Sequence, residues 1–383
     1  MPWNESTVIS ERNKFVRAYL SSAYQMTELC ALYGVSRPTG YKWVRRFLEG
    51  GRAGLVDRSR APQHCPHRMS EETQRWFIKA RKRFGWGARK LLKIFRTQHP
   101  RSAYPSRSAI SALLKREGLV NPRRQRHRRA ASGGPRRVVT APNQLWTVDF
   151  KGQFRLDDRR WCYPLTLMDH FSRYLLLCRG LPDCSGPAVQ QHIDRVFRQY
   201  GLPEAIHSDN GAPFASPSAL AGLTHLSVHW IKLGIRIERS RPGCPQDNGA
   251  HERMHRTLKD CTARPPAANL RAQQGRFNRF RREYNELRPH ESIEDRTPSA
   301  LHRPSPRPYP ARIPKPEYPH GFDTRRVSHN GYVSWRAEHL FISSALAHEY
   351  IAFVEIDDGL WSLYFYHQLL GRFDARAHKL IPL

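Results

Sequence analysis

Apolar residues recur at helical spacing through the first fifty positions of the chain. Phe15, Val16, Tyr19 and Leu20 mark one side of a predicted helix over Glu11–Leu20. A second helix is expected over Thr27–Tyr33, a turn at Gly34, and a third helix over Arg37–Glu49 with Ser36 as its N-cap. Two short helices joined by a glycine-containing turn form a helix-turn-helix pattern, whose second helix enters a DNA major groove. Arg37, Thr39, Lys42 and Arg45 would then lie on or near the exposed face. A plain three-helix bundle with a solvated basic face fits the same local pattern. A second helical block is expected over Ser70–Leu119. It opens on Ser70-Glu71-Glu72-Thr73, a cap with acids in the first turn, and its end resembles a less clear second winged or helix-turn-helix unit.

From Asn143 the pattern changes to short apolar runs. Leu145–Phe150, Trp161–Met168 and Tyr174–Arg179 read as strands in a meander. A helix over Pro187–Tyr200, a strand over Glu204–Ser208, a helix over Gly222–Leu233 and a strand over Ile235–Glu238 follow. Two more helices run through Gln246–Asp260 and Arg271–Asn285. This order predicts an α/β domain with a mixed sheet. Pro304, Pro306, Pro308, Pro310, Pro314 and Pro316 mark an extended linker. Beyond it, Tyr332–Trp335, Tyr350–Ile356 and Leu360–Tyr366 read as strands, with Asp357-Asp358-Gly359 as a hairpin turn, and a small β-barrel is expected.

Charge gives these elements a partner. The 383 residues carry 64 Lys+Arg against 33 Asp+Glu, a net charge of +31, so nucleic acid is the leading expectation. No acidic residue occurs between Gly118 and Val148, where Arg123, Arg124, Arg126, Arg128 and Arg129 sit in a basic linker expected to order on DNA. A solvated spacer is the plainer reading for any one of these arginines. The seven cysteines are odd in number and form no Cys-x-x-Cys, which argues for reduced thiols and against a structural zinc finger. No apolar run is long enough to span a membrane and no signal peptide opens the chain, so a cytoplasmic, nucleoid-associated protein without membrane contact is expected.

Against this basic background three acids stand out. Asp149 ends an apolar run, Asp209 follows a short strand, and Glu252 lies on the helix opened by Cys244-Pro245-Gln246-Asp247-Asn248-Gly249. If the strands before Asp149 and Asp209 are parallel neighbours, both acids reach one crevice outside the strand ends. On the helix, Ala250, Met254, Thr257, Leu258 and Cys261 form the expected buried side. Glu252, Arg256 and Lys259 form the other, where the bases can hold phosphates. Three carboxylates open to substrate suit Mg2+, a hard ion that takes oxygen ligands and assists phosphodiester chemistry. Each motif also has a plainer explanation: a strand cap at Asp149, a polar Asn-Gly turn at Asp209, an exposed ion pair between Glu252 and Arg256.

Taken together, the motifs resemble the DDE transposases of bacterial insertion sequences, in the branch whose catalytic domain is similar to retroviral integrases. They read Trp146-Thr147-Val148-Asp149-Phe150, His207-Ser208-Asp209-Asn210-Gly211 and Arg241-Pro242-Gly243-Cys244-Pro245-Gln246-Asp247-Asn248-Gly249-Ala250-His251-Glu252-Arg253. Tyr284-Asn285-Glu286-Leu287-Arg288-Pro289-His290 and Thr297-Pro298 follow. The resemblance implies an RNase H-like fold in which Asp149, Asp209 and Glu252 are catalytic and bind two Mg2+ or Mn2+ ions. It departs from familiar members in the gap of 43 positions from Asp209 to Glu252, with 215–225 as the candidate extra loop.

The resulting partition has a helix-turn-helix DNA-binding domain (1–62), a second helical DNA-binding domain (63–120) and a basic flexible linker (121–142). An RNase H-like integrase catalytic domain with a mixed five-stranded sheet (143–301), a Pro-rich linker (302–322) and a small C-terminal β-barrel (323–383) complete it. The implied function is transposition. The protein would bind the terminal inverted repeats of its element, cleave double-stranded DNA to free 3′-OH ends and join them to target DNA, as a homodimer or higher homo-oligomer. The alternatives are a catalytically inactive DNA-binding regulator and a stand-alone RNase H-like nuclease.

Overall fold

The computed structural model describes residues 6–58, 69–120, 138–216, 219–241, 244–336 and 338–381. The chain divides into two compact units, Met1–Ser70 and Glu71–Leu383. Arg123, Arg124, Arg126, Arg128 and Arg129 lie outside the described residues, as do Pro242 and Gly243.

The first unit is three helices, α1 (Val8–Leu20), α2 (Met26–Leu32) and α3 (Arg37–Gly50). Thr7 and Ser10 form a reciprocal capping box at the start of α1, which satisfies N–H groups the first turn leaves free. Phe15, Val16, Leu29, Trp43, Val44 and Leu55 make the core. Gly40 is needed where α3 crosses its neighbours, because a Cβ there would sit 2.7 Å from the Met26 sulfur and 2.9 Å from Phe15. Gly34 supplies the turn before α3 at φ +62°.

The second unit opens with α4 (Glu71–Phe84), α5 (Ala88–Gln98) and α6 (Arg107–Arg116), the last capped by the Ser106 side chain. The strands β1 (Trp146–Phe150), β2 (Phe154–Arg155), β3 (Trp161–Asp169), β4 (Leu175–Leu181), β5 (Ala205–Ser208) and β6 (Arg236–Arg239) form one mixed sheet. β1 pairs antiparallel with β3 and parallel with β5, and β5 pairs parallel with β6. β4 lies on β3, and the two-residue β2 also pairs with β3, so the sheet has one short strand more than the expected five.

Alternation along the strands sorts side chains to two faces. Trp146 and Val148 of β1, with Leu165 and Leu167 of β3, pack on α7 (Gly186–Tyr200) and α8 (His225–Lys232) through Ile193, Phe197 and Trp230. On the opposite face Cys162, Met168 and Leu175 meet Met254 and Leu258 of α9 (Gly249–Thr262) and Phe277 and Phe280 of α10 (Leu270–Arg282). Thr147, Asp149 and Thr166 occupy the alternate positions, towards α9. After α10, residues Glu283–Leu287 continue in π-helical backbone.

α11 (Pro298–Leu301) leads into the proline-rich stretch, which is fastened to the core. Leu202 N–H donates to Arg307 O at 2.7 Å, Arg307 Nη1 donates to Pro203 O at 2.6 Å, and Tyr309 packs on the α7 side of the sheet. The C-terminal region contains β7 (Asp323–Arg326), β8 (Tyr332–Trp335), β9 (Glu338–Phe341), β10 (Tyr350–Asp357), β11 (Leu360–Phe365), β12 (Gln368–Asp374) and β13 (Lys379–Ile381). β8 and β9 pair as a hairpin, and the others form a sheet in the order β13-β12-β11-β10-β7. The expected barrel does not close: among the described residues no pairing joins β13 to β7. Trp335, Phe353, Phe365 and Phe373 fill its core together with Leu223 and with Val228 and Ile231 of α8.

Candidate active site

The β1–β5 register brings Trp146 opposite Ile206 and Thr147 opposite His207. Two residues further along each chain lie Asp149 and Asp209. The Asp209 turn is tied to the end of β6: Asn210 Nδ2 donates to Ser240 O at 2.8 Å, and Ser240 N–H donates to Ser208 O at 3.1 Å. Asp209 itself is exposed, as is Glu252 in the first turn of α9. The approach to α9 is held by Arg241, whose guanidinium donates to both carboxylate oxygens of Asp247 at 2.7 and 3.1 Å. Arg241 thereby pulls the Asp247 carboxyl down to about 2.

Asp149 is only 21% exposed. Burial pushes its carboxyl up to about 7, and the charges of Asp209 and, more weakly, Glu252 act in the same direction. The Phe150 N–H and the Lys151 charge oppose this shift without reversing it, so the three acids share one electrostatic neighbourhood. They are not drawn tightly together. Among the described residues, the group of three whose ligand atoms lie within 4.8 Å of one another is Asp149, His251 and His255.

Those histidines form a network behind Asp149. The Thr166 hydroxyl donates to Asp149 O at 3.0 Å and lies 2.7 Å from Nε2 of both His251 and His255. A hydroxyl has one proton and two lone pairs. With its proton given to the Asp149 carbonyl, it accepts from both imidazole Nε2–H groups. His251 Nδ1 then accepts from the Thr147 hydroxyl at 2.7 Å. Burial keeps both rings neutral, with His255 pushed down to about 3 and His251 also far below the usual histidine value. The lone pair left on His255 Nδ1 faces Asp149 Oδ2 at 3.6 Å.

Two acceptors facing one another across a partly buried gap favour a positive charge between or beside them. With two further carboxylates nearby, the donor set fits a divalent cation.

The buried stripe of α9 differs from the expected one. It consists of His251, Met254, His255, Leu258 and Thr262, while Cys261 is exposed. The i, i+4 spacing of His251 and His255 was the available signal, but apolar periodicity passes over histidine. The other side also divides. Arg256 lines a cavity of about 320 Å³ with Lys90, Arg173, Arg253 and Arg288. Lys259 lines a separate one of about 170 Å³ with Lys151 and Arg264. Glu252 and Arg256 form no ion pair among the described residues. On α3, Arg37, Lys42 and Arg45 are exposed, whereas Thr39 is half-buried with its hydroxyl 3.0 Å from that of Ser36. No helix among the described residues is long and apolar enough to cross a membrane.

A mixed sheet with acids at adjacent parallel strand ends, and a third on the covering helix, defines an integrase-core protein. Family models agree: "Integrase core domain" matches residues 139–245 and again 233–298, "Helix-turn-helix domain" matches 11–63, and "Homeodomain-like domain" matches 39–114. An uncharacterized 31.7 kDa protein of insertion element IS407 from Burkholderia multivorans is 27% identical over 231 residues, 58% of this chain and 78% of that protein. A protein of insertion element IS476 from Xanthomonas euvesicatoria is 25% identical over 213 residues, 55% of this chain and 58% of that protein. The Gag-Pol polyprotein of avian reticuloendotheliosis virus is 32% identical over 130 residues, 32% of this chain and 10% of the polyprotein. The chain therefore spans just over half of one insertion-element relative and a tenth of the viral one. A solved catalytic core domain of HTLV-2 integrase in complex with magnesium aligns with a TM-score of 0.34 at 16% identity, covering 43% of this chain and 98% of that one. The chain thus carries an integrase core domain and a helix-turn-helix domain and is similar to proteins of bacterial insertion elements, which supports a DDE transposase with an integrase-like core.

Proposed function

We propose that this protein is a DNA transposase that frees and joins the ends of its own element. The observation that carries the reading is the parallel β1–β5 pairing, which directs Asp149 and Asp209 to one edge of the sheet, under the helix that bears Glu252. Asp149, Asp209 and Glu252 are the residues that would hold two Mg2+ or Mn2+ ions. Such ions, when bound, supply Lewis-acid polarisation of the phosphate and neutralise charge developing on it.

The chain's own residues position and exclude. Thr166 holds the Asp149 backbone carbonyl from behind, and the His255 ring lies against the partly buried Asp149 carboxylate. The exposed basic face of α3 and the basic 121–142 segment supply affinity for the DNA backbone, and the helix-turn-helix unit recognises the terminal inverted repeats. In cleavage, a water oxygen bonds to phosphorus as the bond to the 3′ oxygen breaks, leaving a 3′-OH and a 5′ phosphate. In joining, that 3′ oxygen bonds to a target phosphorus as the target's own 3′ oxygen leaves. One phosphorus–oxygen bond forms for each one broken in the transfer, so no nucleotide hydrolysis is required. Because two ends are joined to one target, the working assembly contains at least two copies of the chain.

The test is substitution of each acid in the full chain. Asp149→Asn, Asp209→Asn and Glu252→Gln should each abolish cleavage and joining while leaving binding to an end-containing duplex nearly unchanged. Strand transfer retained in any one variant removes that residue from the site. Cleavage without joining of a pre-cleaved end would indicate a nuclease instead.

A further inference from the structure

The cavity lined by Lys90, Arg173, Arg253 and Arg288 collects cations from four distant parts of the chain. Arg173 sits in the turn between β3 and β4 at φ +63°, a conformation that costs a non-glycine residue free energy. Its Nε and Nη1 atoms are buried and have no hydrogen-bond partner. The nearest acid in sequence, Asp169, is already engaged: Oδ1 accepts from Asn143 N–H at 3.0 Å, and Oδ2 accepts from Ser172 N–H at 2.9 Å and from the Ser172 hydroxyl. Arg288 lies with its guanidinium carbon 5.7 Å from the centre of the Trp86 ring. The acid in the cavity wall, Glu291, is paired with Arg89 on α5. Among the described residues none of the four cationic side chains has a carboxylate within ion-pair distance.

Unpaired cations at this density repel one another. Lys90 registers it: burial first, and then Arg288, push its ammonium down to about 8. A buried guanidinium without an acceptor forfeits hydrogen bonds that water would have made. Both costs are relieved by an anion with several acceptor oxygens. Guanidinium forks match the geometry of phosphate oxygens, and the volume of about 320 Å³ accommodates such a group. The cavity also opens on α9 beside Glu252, through Arg253 and the exposed Arg256.

We infer that this cavity is a phosphate-binding pocket, occupied by a backbone phosphate of the DNA that reaches the Glu252 helix. The source of the phosphate rests on the transposase reading above. The pocket itself rests on the cation cluster.

The test uses the full chain, a fluorescent duplex carrying an element end, and a salt titration. Each backbone phosphate neutralised contributes about −0.9 to the slope of log K against log[salt]. Arg173→Gln and Arg253→Gln should each weaken binding several-fold and make the slope shallower by about 1. Arg253 is exposed on α9, so its variant remains informative if the Arg173 turn fails to fold. In a second arm, inorganic phosphate at fixed ionic strength should raise the Tm of the wild type more than that of Arg173→Gln or Arg253→Gln.

Wild type that binds no DNA would sink the functional reading, and the inorganic-phosphate arm alone would then decide the pocket. Unchanged DNA affinity and slope with a lost phosphate response would assign the pocket to a free anion and overturn the DNA source. Variants matching wild type in both arms overturn the pocket.

Discussion

Nδ1 of His255 faces Oδ2 of Asp149 at 3.6 Å, and Thr166 anchors both residues from behind through one hydroxyl. The same hydroxyl binds His251, so a single oxygen links β3 to β1 and to two turns of α9.

Thr166→Val keeps the volume and removes the link. It leaves the buried Nε2–H groups of His251 and His255 without an acceptor, at about 1–3 kcal/mol each. Urea denaturation should show a total loss of about 2–6 kcal/mol for the two groups, and Thr166→Ser should recover most of it. Mn2+ affinity, read by calorimetry, should fall for Val and return for Ser. A Val variant as stable and as tight for Mn2+ as wild type would rule out the anchoring role.

Asp149 supplies a pH test in chelator-treated protein. An acid whose folded pKa is raised binds its proton more tightly when folded, so this contribution to stability is fully present below the ordinary value of 3.8. It declines as pH rises towards about 7, by roughly 1.4 kcal/mol for each pH unit between those values. Asp149→Asn lacks the ionisation, so its Tm should gain on wild type between pH 4 and pH 7 and hold that gain at pH 8. Parallel Tm curves for the two proteins would contradict the burial described for this carboxyl.

Arg89 joins α5 to the segment after α10 through Asp295 at 2.9 Å and through Glu291. Arg89→Ala should speed amide hydrogen exchange in α4, α5 and α6 while leaving β1 and β3 protected. Equal exchange in wild type and variant would show that apolar packing holds these helices without the pair.

Leu223 is buried in the core of the C-terminal sheet although it belongs to the loop before α8. Leu223→Ala should cost about 2–5 kcal/mol. The tryptophan fluorescence of Trp335 and Trp361 should report earlier loosening of the sheet in a denaturant titration. A loss below 1 kcal/mol would mean that the sheet is seated by other contacts.

Much of this architecture is legible in the chain. Short apolar runs between turn-like segments mark β1, β3 and β4, and the helix expected over Pro187–Tyr200 corresponds to α7. The motifs around Asp149, Asp209 and Glu252 carry the family resemblance. The parts that escape depend on register. Thr147 and Thr166 become neighbours of His251 only once β1 and β3 pair with Asp149 opposite Thr166. Arg173, Arg253 and Arg288 are each ordinary basic residues until the turn, the helix and the residue that follows the π-helical segment converge. The C-terminal strands likewise suggest a barrel by composition, yet nothing local to β7 or β13 says whether those edges meet.

The stretch between Asp209 and α8 gives the long gap in the motif spacing a physical meaning. Leu220 and Ala221 lie against the C-terminal sheet, and Arg239, at the end of β6, grips the carbonyls of Ala221 and Gly222. This part of the gap is therefore a seam, shared by the C-terminal sheet on one side and by β6 of the integrase-like core on the other.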